Sequence, residues 1–456
     1  MASILDAEPQ AAAPQPNAFL TGVHTPMTEK RTIAELEVRG TIPAALDGRY
    51  LRIGPNPIAA DPANYHWFTG DGMIHGLRIE GGRAHWYRNR WVRSEAVTTA
   101  LGEPRTPGPR HVFDTVNTNV LGFAGRSYAL VEAGSTPVEI GDTLETLRYT
   151  DFDNSLHGSF TAHPHVDPLT GEMHAICYDA MNPAAIRYVV VGPDATVRRE
   201  VTIPVEGGPM IHDCAITQRF AILLDLPVTF SLEAAMRGES FPYRWNPDHV
   251  ARIGLLPRGG NAADVIWCET DPCYVFHTVN AYDAADGRVV LDVVVHETMF
   301  AASRTGPDSK RSGLERWVVD PATRSLVRQV IDATPQEFPR PDERRTSLPY
   351  RYAYTMALTD EFLGSAQLKH DLETGARQVH DFGAGRHPGE FVFVPAHADA
   401  GEDEGWLIGL VIDPEASTSD LVILDARDFE GALQASIRIP HLVPPGFHGN
   451  WVPSTR

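Results

Sequence analysis

The chain is poor in cysteine, in positive charge and in helical periodicity, and each shortage removes a class of protein. Four cysteines (Cys177, Cys214, Cys268 and Cys273) in 456 residues cannot form a disulfide scaffold and suit a reducing compartment. Cys268 and Cys273 lack the C-x-x-C spacing and read as ordinary semi-buried thiols. Lys and Arg number 39 against 59 Asp and Glu, a formal charge of -20, so the basic footprint of a nucleic-acid binder is missing. That charge leaves contact with a membrane surface or an apolar ligand open. No apolar run is long enough to predict a membrane-spanning helix. Residues 1–17 have neither a basic n-region nor an apolar h-region, and read as a flexible Ala/Pro tail before one domain over 18–456. No N-x-S/T sequon occurs, and the expected address is the cytoplasm. Also absent are the G-x-S-x-G elbow, the G-x-x-x-x-G-K-[ST] loop, H-E-x-x-H and a strand-linked G-x-G-x-x-G. The common hydrolase, nucleotide and nicotinamide readings lose their support with them.

What is present is strand and turn. Hydrophobic residues make up 43% and charged residues 21%, enough to build a core. Apolar, β-branched runs recur, among them RSYALVEA (126–133), RYVVVG (187–192), FAILLDLPVTF (220–230), RVVLDVVVHETMF (288–300), GWLIGLVID (405–413) and DLVILDA (420–426). The chain holds 38 glycines and 36 prolines, and hairpin turns are predicted at EGGR (80–83), DPLTGE (167–172), AADGR (284–288), DPATRS (320–325) and DLETGAR (371–377). TFSLEAAMRG (229–238) is the best helical candidate. Many short strands in one long domain predict a sandwich, a barrel or a propeller, and the length favours a propeller of seven four-stranded blades.

Histidine is the residue that carries chemistry. Of 19, four stand in a distinctive context: His163 in FTAHPHVDPLTGE, His212 in GGPMIHDCAIT, His277 in YVFHTVNAYD and His448 in PPGFHGNW. Three of them follow an apolar stretch and precede a polar one, which predicts an imidazole at the inner end of a strand. On a propeller axis, such side chains converge from blades far apart in sequence. Four neutral imidazoles suit Fe, Cu or Zn. The alternative is four unrelated histidines, each bonded to its own backbone, since no two are close enough in sequence to form a local metal motif.

The same four phrases resemble the iron-ligand motifs of the carotenoid cleavage oxygenases. Further similarity runs through LDGRYLRIGPNP (46–57), WFTGDGMIHGLRI (67–79), YRNRWVRS (87–94), NTNVLGFAGRSYALVEAG (117–134), YRYAYTMAL (350–358) and LVILDARDF (421–429), covering about residues 33 to 454. The resemblance implies an all-β, seven-bladed propeller with Fe(II) on its axis, capped by a dome of loops and short helices. It implies O2-dependent cleavage of an alkene C=C bond to carbonyl products. The implied ligands are His163, His212, His277 and His448, with His165 as the local competitor for the first. The implied carboxylate partners of three ligands are Glu132, Glu337 and Glu390. Glu390 departs from the pattern in being followed by Phe391 rather than Pro, and Cys214 stands where an aromatic is common.

One branch of the family, the lignostilbene and isoeugenol type, holds a phenol with a Lys before the first of these glutamates and a Tyr after the R-[WY]-V segment. The matching positions here are Val131 and Val97. Two valines predict an apolar end and a long polyene, a carotenoid or apocarotenoid, with Phe276, Trp67 and Phe68 as tunnel walls or as core. The alternatives are a stilbene or phenylpropene cleaver, a non-catalytic propeller that binds a hydrophobic ligand, and an isomerase or hydrolase built on the same site. A polyene substrate also predicts peripheral contact with a membrane. Cleavage position, oxygen stoichiometry and oligomeric state are not legible.

Overall fold

The computed structural model describes residues 16–309 and 312–454. The expected flexible tail therefore falls, for residues 1–15, outside the described residues. Asn17 is buried, caps the short turn Ala18–Leu20 and donates to the carbonyl of Tyr65.

Seven antiparallel sheets of four or five strands form the blades of a propeller. Their inner strands are Gly449–Pro453, Asn119–Phe123, His165–Val166, Ala215–Ile216, Thr278–Asp283, Gln336–Arg340 and His387–Pro395, for blades one to seven. Blade one is built from both ends of the chain. Gly449–Pro453 pairs with Gly48–Pro55, placing Arg52 opposite Gly449. The segment before it edges two blades: Arg31–Ile33 pairs with the outer strand of blade one, and Val38–Gly40 with that of blade seven. Residues distant in sequence thus close the ring without covalent help.

The predicted turns fall between paired strands, and their residue types explain the geometry. Gly171 and Gly375, in DPLTGE and DLETGAR, take φ of 69° and 75°, a left-handed conformation that costs glycine nothing. FAILLDLPVTF is two strands, Phe220–Asp225 and Val228–Phe230, split at Pro227 because proline lacks the N–H that a ladder needs. The second belongs to a hairpin with Tyr243–Trp245 that leaves blade four for the cap. Within it, the helical candidate shrinks to Leu232–Met236, capped by Ser231. A second helix, Glu95–Leu101, went unpredicted although Ser94 caps its start and Gly102 closes it at φ 63°.

Hydrophobic side chains fill the spaces between neighbouring blades. The largest cluster joins blades three, four and five through Tyr188, Leu223, Leu255, Leu291 and Trp317, all fully buried. Central strands are buried on both faces, as in Val289–His296. Outer strands alternate or face water, as in Ser325–Asp332. No helix among the described residues is long and apolar enough to cross a membrane.

Candidate metal centre

Each of the four histidines precedes an inner strand by one to three residues. His448 stands before Gly449–Pro453, His163 before His165–Val166, His212 before Ala215–Ile216 and His277 before Thr278–Asp283. Blades one, three, four and five therefore each send one imidazole to the axis. Their ligating atoms lie within 4.8 Å of one another and all four residues are buried. His165 is not among them: its Nε2 sits 2.9 Å from Asp213 Oδ1.

The three blades without a ligand supply the carboxylates. Glu132 Oε1, from the loop after the second strand of blade two, lies 2.8 Å from His212 Nδ1. Glu337 Oε2, from blade six, lies 2.5 Å from His277 Nδ1. Glu390 Oε1, from blade seven, lies 2.9 Å from His448 Nδ1. A carboxylate accepts and cannot donate, so each Nδ1 carries the proton and each Nε2 turns a lone pair inward. Those lone pairs nearly touch: Nε2 atoms of His212 and His277 are 3.3 Å apart, and those of His277 and His448 3.1 Å. Facing lone pairs repel, and His163 Nε2 is buried without any hydrogen-bond partner. A cation between them removes both penalties. Metal–nitrogen bonds of about 2.1 Å set adjacent nitrogens about 3.0 to 3.4 Å apart, so the observed spacing fits a first-row ion.

Electrostatics agree. Burial, then the neighbouring imidazoles, pushes His163 well below the usual histidine range. Burial takes His448 down to about 4, against the pull of Glu390. Both present neutral rings. For His277, burial lowers the pKa but the adjoining Glu337 outweighs it and raises the group above the usual histidine value. Glu390 is opposed by burial and still held down to about 2, chiefly by Arg340 and then by His448.

Several supporting residues were not anticipated from the sequence. Asp213 accepts from the backbone N–H of Thr278 at 2.8 Å and of its own neighbour Cys214 at 2.6 Å, besides meeting His165. It ties together blades three, four and five directly behind three ligands. Arg340 Nε donates to Glu390 at 3.0 Å, and its Nη2 to the carbonyl of Gly449 at 2.5 Å, joining blades six, seven and one behind the fourth. Glu337 Oε1 also meets His296 Nε2 at 2.7 Å. Phe338, at φ 53° in a bulge of its strand, stacks on the His277 ring with centroids 5.4 Å apart. A polar residue one position from a ligand or a glutamate was the available signal for Asp213 only.

A cavity of about 560 Å³ opens onto His212, His277 and His448. Trp67, Phe68, Val131 and Phe276 line it, with Phe338 and Phe447 beside the ligands. Phe276 meets the His212 ring edge-on at 5.0 Å. Val97 does not line it. That residue is fully buried in the helix Glu95–Leu101, packed with Met73 and Trp91, because the helix turns its apolar face to blade one. No Lys or Arg lines the cavity among the described residues.

The family described as RPE65, retinal pigment epithelial membrane protein, matches residues 24–453. The chain belongs to this family. Among relatives of this carotenoid cleavage oxygenase family member, a carotenoid cleavage oxygenase of Mycobacterium tuberculosis is 41% identical, covering 97% of this chain and 99% of the relative. A carotenoid 9,10(9',10')-cleavage dioxygenase 1 of Arabidopsis thaliana is 31% identical, covering 96% and 90%. The crystal structure of a Pseudomonas brassicacearum lignostilbene dioxygenase is 27% identical with a TM-score of 0.88, covering 97% of this chain and 100% of that one. The chain is an enzyme of this oxygenase type, and the seven-bladed expectation agrees with its neighbours' fold.

Proposed function

We propose that the chain is an Fe(II)-dependent oxygenase that cleaves a C=C bond in a long, hydrophobic polyene of the carotenoid or apocarotenoid class. The observation that carries the reading is an apolar cavity ending on three of the four clustered imidazoles, His212, His277 and His448, with no Lys or Arg in its wall among the described residues. His163, His212, His277 and His448 would hold Fe(II), which would activate O2 beside the alkene, the electrons that reduce O2 coming from the C=C bond that breaks. One alkene and one O2 give two carbonyl products, so no external reductant enters the balance.

The chain's residues do the rest. Glu132, Glu337 and Glu390 keep the Nδ1 protons and hold the ring planes fixed. Phe68, Phe276 and Phe447 form an edge-to-face cluster over the ligands that holds a flat conjugated chain and excludes water. The chemistry is then decided by where the polyene stops in the cavity, which sets the bond presented.

The lignostilbene dioxygenase neighbour favours a second reading, a stilbene cleaver. Against it stands Val131, in the cavity wall beside Glu132, where a phenol-binding enzyme of that branch has a Lys. Anaerobic loading with Fe(II), then parallel incubation in air with an apocarotenal and with resveratrol, separates the two. Aldehydes from resveratrol alone would overturn the polyene reading. In His277→Ala, retained iron and retained cleavage would refute the four-histidine assignment.

The substrate class also implies contact with a membrane. Phe113 and Met181, at the cavity mouth, are 50% and 63% exposed, and Met236 on the adjoining helix is 80% exposed. Water-facing residues of this kind around an apolar opening fit a lipid surface. Flotation with liposomes tests it: Met236→Asp should weaken recovery with the vesicles, and no flotation of the parent protein at any composition would refute it.

A further inference from the structure

The four histidines form a partition between two cavities. On the side away from the cap lies a second cavity of about 600 Å³ along the axis. His277 and His448 line both; His212 faces only the apolar one and His163 only the axial one. The first is the more aromatic next to the ligands and the second the more polar. The first presents Phe68, Phe276 and Phe447, its carboxylates Glu132 and Glu337 being held by ligand Nδ1 atoms, whereas the second presents His165, Asp213, Thr278, Glu390 and Asn450. Its remaining charged residues are Arg340, Glu343 and Arg344. Both guanidinium groups are paired, Arg340 with Glu390 and Glu343, and Arg344 with Asp342. Exposed Ala124, Pro168, Pro193 and Glu343 ring its mouth.

We propose that this axial cavity is the port through which the metal ion reaches the four histidines, leaving the apolar cavity to substrate. The inference rests on the reading of those histidines as a metal site. A divalent cation arrives hydrated, and stripping its water inside an aromatic-lined cavity is strongly unfavourable. In the axial cavity, imidazole nitrogens and carboxylate, hydroxyl and amide oxygens can take over from water step by step. His163, which faces this side and has no partner for its buried Nε2, is the first free lone pair on the way in. The division has a functional consequence: a seated substrate leaves the metal's route clear.

The native cysteines make a selective test available, because all four are buried. Ala124→Cys, at the axial mouth, and Met181→Cys, at the apolar mouth, are each coupled to a bulky maleimide in metal-free protein. Uptake of Co(II) is then followed by its visible absorption. Labelled Ala124→Cys should take up cobalt slower by roughly an order of magnitude than the same unlabelled variant, reaching the same final occupancy. Labelled Met181→Cys should take it up at the unlabelled rate while losing polyene binding, read by quenching of tryptophan fluorescence. Uptake slowed by the Met181 label, or unaffected by the Ala124 label, would overturn the port. Failure of unlabelled parent protein to bind cobalt would instead overturn the metal reading, and the port with it.

Discussion

Replacing Glu337 by Gln isolates how much an orienting carboxylate contributes to the metal centre. Glu337 is enclosed, with Oε2 2.5 Å from His277 Nδ1 and Oε1 2.7 Å from His296 Nε2. Burial pushes its pKa up, but the pairing with His277 and the hydrogen bonds from His277 and His296 outweigh it and keep the group ionised. Gln preserves the volume and one acceptor. Its amide nitrogen must then face one imidazole, and His296 can accept because its Nδ1 lies 2.9 Å from the Ser309 hydroxyl. His277 therefore keeps a hydrogen bond, now neutral instead of charge-assisted. The difference between those two kinds of bond is about 1 to 2 kcal/mol, or roughly 5- to 30-fold in metal affinity. Glu337→Ala, which removes the acceptor altogether, should cost about 10- to 100-fold. Competition between metal-free protein and a chromogenic chelator for Co(II) measures both, with thermal melts of the metal-free variants as the control on folding. Parental affinity in both variants would refute the claim that the glutamate orients the ligand. Affinity lost in proportion to melting temperature would show that it serves the fold instead.

Other outcomes follow from the same geometry. Val131→Lys places an ammonium in the cavity wall beside Glu132, and should shift selectivity toward 4-hydroxystilbenes by about 10-fold or more through a charge-assisted bond to the phenol oxygen; unchanged selectivity in paired assays would show that the phenol site lies elsewhere. Trp317→Ala removes a fully buried ring between blades and should cost about 3 to 5 kcal/mol in denaturant melts. Burial holds His66 at about 3 and His174 and His370 at about 4, against 6.5 unfolded. The unfolded chain thus takes up protons first, so metal-free stability should fall as pH drops through 6.5 and go on falling toward 4, by about 1.4 kcal/mol per unit for each such histidine. A melting temperature that stays flat across that interval would refute their neutrality.

Strand and turn were legible because each was written locally. DLETG needs a glycine at φ 75°, and GWLIGLVID is one uninterrupted strand, Gly405–Asp413. The histidines were legible as candidates, since the shift from apolar to polar at each one marks the start of an inner strand. Pairings across blades were not. Arg340 matters because three blades bring Glu390 and Gly449 to it, and nothing near residue 340 announces partners 50 and 109 residues away. Val97 failed for a related reason. The spacing from Val92 implies an extended chain, whereas Ser94 starts a helix that carries Val97 into the core. Asp213 stood in plain view beside His212, but its role lies in reaching both His165 and Thr278.

The way the ring is closed sets the order in which the centre can come into being. His448 immediately precedes Gly449–Pro453, the strand that completes blade one, while the other three ligands belong to blades three to five. A nascent chain that has folded as far as blade six already displays His163, His212 and His277 with two of the three glutamates. It still lacks the fourth imidazole, and it lacks Glu390 to orient it. The fourth imidazole arrives together with the last strand, so a chain interrupted before residue 448 is denied the complete four-histidine site. The strand that closes the ring is thereby also the one that completes the site.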